Sequence, residues 1–197
     1  MAPMPTYDEA KIWGILAAEN AGNHLCAAEA LAGSGFRGQA ISLAVLAVEE
    51  AVKARAMLGY ARSQYRPGFG LDAATMKKII RGPHQVRHLI AWFQGGSAEA
   101  KALLASDTSD HEAEARLKAD FAALDWLLVA NTSKNGGFYV DYLGGGHWST
   151  PIAATDAQWE MARAVATPFV AEAGNQAARW IADPVRGAPD EPEISSP

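Results

Sequence analysis

Apolar positions recur at three- and four-residue steps through most of the chain, and the longest such run is AISLAVLAVEEAVKARAMLGYAR, residues 40–62. Ile41, Ala44, Val45, Val48, Ala51, Val52 and Met57 fall at the period of an α-helix. Leu43, Leu46 and Ala47 carry the apolar surface past one stripe, so this helix is expected to be central and packed on several sides. Glu49, Glu50 and Lys53 interrupt it. Lys53 lies four residues after Glu49 and three after Glu50, so both carboxylates can reach the one ammonium. Charges on so apolar a helix need partners or water. The trio is therefore either a solvated salt bridge on the outer face or a polar cluster facing an internal cleft.

The flanking elements follow the same logic. Thr6 or Asp8 can cap a first helix, with Glu9 in its first turn, and that helix is expected to run to about Ala32. Ile12, Ile15, Leu16, Leu25, Ala27, Ala28 and Leu31 are its expected buried side, and Cys26, in an alanine-rich run, reads as a small core residue. The turn GSGFRG, residues 33–38, predicts an antiparallel hairpin of the first two helices. It lacks the Lys-Ser/Thr ending of a phosphate-binding loop. Beyond the central helix, Asp72 can cap a short helix over 73–80. Gly82-Pro83 then opens another, on which His84 and His88 share a face. A short helix over 98–105 and a longer one over 114–131 come next, the latter ended by TSKNGG. FYVDYLGGGHWSTP is the one segment with extended character, a small hairpin or an ordered loop near residues 134–150. Thr155 or Asp156 caps a last helix, about 157–181, with a kink expected at Pro168. The fold class is thus all-α, with residues 1–183 as one domain and the acidic, proline-rich 184–197 as a disordered tail.

Composition narrows the classes of function. The chain has 197 residues, 49% of them hydrophobic and 20% charged, with a formal charge of −5. This is a globular composition, and the acidic balance argues against broad nucleic-acid binding through a basic surface. It leaves room for a local basic site. One cysteine forms no internal disulfide and suits a reducing cytoplasm. The first residues lack the charged and apolar regions of a signal peptide, and no apolar run is long enough to span a membrane.

The candidate chemistry is thin when motifs are taken singly. His84-x-x-x-His88 has metal-ligand spacing, but no glutamate follows the first histidine and no third ligand matches, so no metal is expected. There is no Gly-x-Ser-x-Gly elbow. Lys134 precedes a glycine-rich approach to Tyr139 and Asp141. A turn lysine is ordinarily solvated and a tyrosine there ordinarily packed.

Three pieces in order change this. An N-terminal helix and glycine-rich turn lead to Glu49-Glu50-x-x-Lys53. His84 and Arg87 follow in mid-chain. Lys134-Asn-Gly-Gly-Phe-Tyr-Val-Asp141 comes later, before Pro151 and a final helix. Over about residues 10–175 this resembles the AbiV family of bacterial abortive-infection proteins, which have HEPN-type helical domains. Gln85 stands where that family commonly has lysine, and Lys134 where arginine is expected.

The resemblance implies a HEPN-like helical bundle and a toxin-like role in phage defence as a metal-independent, cofactor-free ribonuclease. It implies a cytoplasmic homodimer with RNA as substrate and a phage-encoded protein as activator, and no membrane. Cutting RNA this way needs a base for the 2′-hydroxyl, an acid for the leaving 5′-oxygen and a cation for the phosphorane charge. His84 or His88 could be base or acid, and Arg87 and Lys134 could hold phosphate. Glu49, Glu50, Lys53, Tyr139 and Asp141 could support them. Two alternatives stand beside it: a non-catalytic helical module that binds a phage or host protein, and an unrelated helical bundle with a metal site.

Overall fold

A computed structural model describes residues 4–65, 73–74, 76, 126–127, 129–135, 137–138, 141–145, 147–151 and 154–182. Helix α1 spans Tyr7–Gly33 and α2 spans Arg37–Tyr65. Residues 129–135 form α3, with 126–127 before it and 137–138 after it also helical. Strands β1 (Asp141–Gly144) and β2 (His147–Ser149) follow, and α4 (Asp156–Ala182) is the last helix.

Local chemistry sets the helix starts. At α1, the Thr6 hydroxyl accepts the Glu9 N–H while the Glu9 carboxylate accepts the Thr6 N–H at 2.7 Å, a reciprocal capping box. Those bonds pull the Glu9 pKa below its usual value, with the Thr6 backbone N–H as the larger cause. Thr155 caps α4 the same way, its N–H donating to Gln158 Oε1 at 2.8 Å. Thr6 and Thr155, rather than Asp8 and Asp156, are thus the caps. Helix α4 continues unbroken through Pro168. Between α1 and α2 the chain turns at Gly35, whose φ of +87° favours a residue with no Cβ.

α2 is the centre of the bundle. Its buried residues include Ala40, Ile41, Ala44, Val45, Ala47, Val48, Ala51, Val52, Ala54, Ala56, Met57 and Leu58, which spread over most of its circumference and leave the side of Leu43, Leu46, Glu50 and Lys53 half-buried. α1 and α4 both pack on it and on each other. The contacts fix the directions. Gly14 of α1 faces Leu58 and Ala54 of α2, so these two run antiparallel, as the short turn predicts. Arg37 pairs with Asp156 at the starts of α2 and α4, while Tyr7 meets Trp180, their ring centroids 6.0 Å apart. α4 therefore runs parallel to α2 and antiparallel to α1.

The phase of α1 differs from the sequence expectation. Ile12 and Leu16 are 58% and 56% exposed, and Ala27 and Cys26 are also exposed. Of the expected side, Leu25 and Ala28 are buried and Ile15 and Leu31 pack against the core, and the rest of the buried face is Ala10, Gly14, Ala17, Ala18 and Ala21. A Cβ on Gly14 would lie 2.7 Å from Leu58 Cγ and 3.2 Å from the Ala54 carbonyl. Approach that close admits only small residues, so the alanine–glycine stripe turns inward. Ile12 and Leu16, two residues on from Ala10 and Gly14 and so roughly 200° round the helix, turn outward.

The segment after α3 is a two-stranded antiparallel hairpin. Asp141 pairs with Ser149 and Tyr142 with Trp148, and an irregularity follows before Gly144 pairs with His147. Helix α3 itself outlasts its expected end at residue 131, since the chain is helical to 135 and again at 137–138. The expected short helix over 73–80 is seen as helical residues at 73–74 and 76. The expected helices over 83–94, 98–105 and 114–125, and the tail 184–197, lie outside the described residues.

Candidate functional site

The polar cluster faces inward. Glu49 is only 2% exposed and Lys134 9%. Lys134 Nζ lies 3.0 Å from Glu49 Oε1, a charge-assisted hydrogen bond between the middle of α2 and the end of α3. Lys134 is thus neither a solvated turn lysine nor part of a loop; it is a buried helical residue. The expectation that Glu49 and Glu50 share Lys53 does not hold. Lys53 pairs with Glu50, both half-buried, whereas Glu49 turns to Lys134. Consecutive helical residues point about 100° apart, so one glutamate meets α3 while its neighbour stays near the rim.

The contacts between α2 and the region of α3 run through Ser42, Glu49, Lys134 and Gly137. Gly38, Ser42, Val45 and Glu49 recur at helical spacing on α2, and Leu127, Ala130, Lys134 and Gly137 do so on the other side. Ser42 is wholly buried. Its hydroxyl donates to the Lys134 carbonyl oxygen at 2.7 Å and has the Gly38 carbonyl at 3.1 Å. Gly137 is pressed on this point: a Cβ there would fall 1.9 Å from Ser42 Oγ and 2.1 Å from the Gly38 carbonyl oxygen. Gly38 in turn abuts Pro151, whose carbonyl oxygen would be 2.3 Å from an added Cβ. The Lys134 carbonyl, Gly137 and Pro151 are thus all seated on the first turns of α2.

Next to this contact is a groove of about 470 Å³ lined mainly by apolar residues, among them Ile41, Trp126, Val129, Pro151 and Met161. At the far half of α2, burial lowers the Arg55 pKa from its usual value, and Glu172 of α4 opposes the change. Glu172 also accepts from Gln176 and Arg179.

The structure therefore joins two of the expected site residues, Glu49 and Lys134, and places Glu50 and Lys53 one step round α2. Asp141 opens β1. His84, Arg87, His88 and Tyr139 lie outside the described residues. Ser42 was not singled out by its sequence context, although a hydroxyl seven residues before Glu49 inside an apolar stripe is the signal that could have found it. Among the described residues, no three His, Cys, Asp or Glu side chains gather as metal ligands would. No helix among them is long and apolar enough to cross a membrane.

The described helices form a bundle around α2, and the match to a HEPN family model makes it a HEPN-type helical bundle. Within that class the chain belongs to the AbiV family, whose family model matches residues 9–165. Membership implies a function of the abortive-infection type. Among curated proteins and among solved structures no significant match was found.

Proposed function

We propose that the protein is an anti-phage abortive-infection toxin that cuts RNA without a metal, acting as a homodimer. The observation that supports this best is the buried Lys134–Glu49 pair, because it brings two separate motifs of the family into one place. In this reading His84 or His88 takes the 2′-hydroxyl proton and the other returns one to the 5′-oxygen. Attack of the 2′-oxygen on phosphorus breaks the bond to the 5′-oxygen and leaves a cyclic phosphate on the upstream product. Arg87 stabilises the phosphorane. Lys134, tied to Glu49, holds the start of the segment leading to Tyr139 and Asp141. Ile12, Trp13 and Leu16, exposed on α1, offer such a dimer an apolar surface to bury.

The test is cleavage of total RNA by purified protein in EDTA. Cleavage should persist, leave cyclic-phosphate ends and be lost in His84→Ala, because a general acid or base is worth about 10²–10⁴-fold. Full toxicity in a folded His84→Ala, Lys134→Ala double variant would reject the reading. Growth arrest with intact RNA would favour a non-catalytic module that binds a phage or host protein.

A further inference from the structure

Among the described residues, the buried polar and charged side chains are Ser42, Glu49 and Lys134, and they form one connected unit. Ser42 and Glu49 are two helical turns apart on α2, about 10 Å along its axis. Between them they hold one residue at both ends. Ser42 binds the Lys134 carbonyl at 2.7 Å, and Glu49 binds its ammonium at 3.0 Å. A helical serine can satisfy its hydroxyl on the carbonyl four residues back. Here that carbonyl, from Gly38, is available at 3.1 Å, yet the Lys134 oxygen is nearer. A hydroxyl has one proton to give, so the shorter contact marks its acceptor. Gly137, lying against Ser42 Oγ, closes the same joint from the other side.

We propose that Ser42 is a positioning residue of the site: with Glu49 it forms a two-point clamp that sets the height and rotation of Lys134, and through it the course of the chain from 134 to Asp141. An ion pair alone would fix the tip of a long flexible side chain and leave the backbone free to slide. The serine contact fixes the backbone itself. The effect on catalysis rests on the ribonuclease reading above; the clamp does not.

The experiment compares the full-length wild type, Ser42→Ala, and Ala47→Gly as a control that weakens α2 on its other side. Amide hydrogen exchange and RNA cleavage are measured on each at a temperature where all are folded. In Ser42→Ala, amides 135–138 should exchange about tenfold faster while those of α1 keep their wild-type rates, the size expected for one lost buried hydrogen bond. Its kcat should fall at least about tenfold with KM within about twofold, since misplacement costs the chemical step rather than binding. The control should keep both. Unchanged exchange at 135–138 overturns the clamp, and faster exchange with wild-type kcat overturns its role in positioning the site. A wild type that cuts no RNA rejects the ribonuclease reading and the catalytic role of Ser42 together, while the exchange data still decide whether the clamp exists.

Discussion

Lys134 and Glu49 form their ion pair where water hardly reaches, so neither can lose the other cheaply. Lys134→Met leaves the Glu49 carboxylate buried and uncompensated, and urea unfolding should show a loss of about 3–5 kcal/mol. Glu49→Leu with Lys134→Met removes both charges, and most of that loss should be recovered. A double variant as unstable as the single one would mean the pair itself, and not the orphaned charge, carries the stability. Lys53→Met should behave differently. Its partner Glu50 keeps some contact with water, and the cost should be smaller than that of Lys134→Met.

Glu9 gives a pH-dependent signature at the same scale. Its folded pKa is depressed, so its contribution is present above the unfolded value and is lost as pH falls through the lower, folded value. Thermal melts of the wild type between pH 6 and pH 3 should fall more steeply than those of Glu9→Gln, and the two curves should converge at the acid end.

Among the elements, glycines report how closely helices approach. Gly22 of α1 and Gly174 of α4 have nothing within 4 Å of an added Cβ. Gly22→Ala should stabilise the fold by about 0.5–1 kcal/mol through helix propensity alone. Gly137→Ala must push apart α2 and the end of α3, where the new atom would meet Ser42 Oγ and the Gly38 backbone. Its cost should be at least about 1–3 kcal/mol. Chemical denaturation of the two variants should therefore move in opposite directions.

The same contrast explains α1. Amphipathic patterning says that a helix is there, but two stripes compete to be the inner one: a large apolar stripe and a small alanine–glycine stripe. Close packing on α2 selects the small stripe, which leaves Ile12 and Leu16 outside.

At the scale of the whole molecule, the proposed homodimer predicts twice the monomer mass by light scattering at micromolar concentration. Ile12→Glu with Leu16→Glu should shift the population to monomer if the outer face of α1 is the surface buried. Monomeric wild type would reject the dimer.

By itself the sequence determined the helical class, the places where α1 and α4 begin, the central place of α2, an extended segment ahead of the last helix and, through three motifs in order, the family. All of these depend on spacing along the chain, which local geometry converts directly into faces and ends. Which glutamate turns inward, which stripe of α1 is buried, that Lys134 lies inside α3, and that Ser42 meets its carbonyl were decided only in the tertiary structure. Glu49 and Lys134 are 85 positions apart. Nothing in either local context states that α2 and α3 come close enough to exclude water between them. That distance, set by glycines and alanines that allow the helices to touch, turns an ordinary lysine into a buried partner.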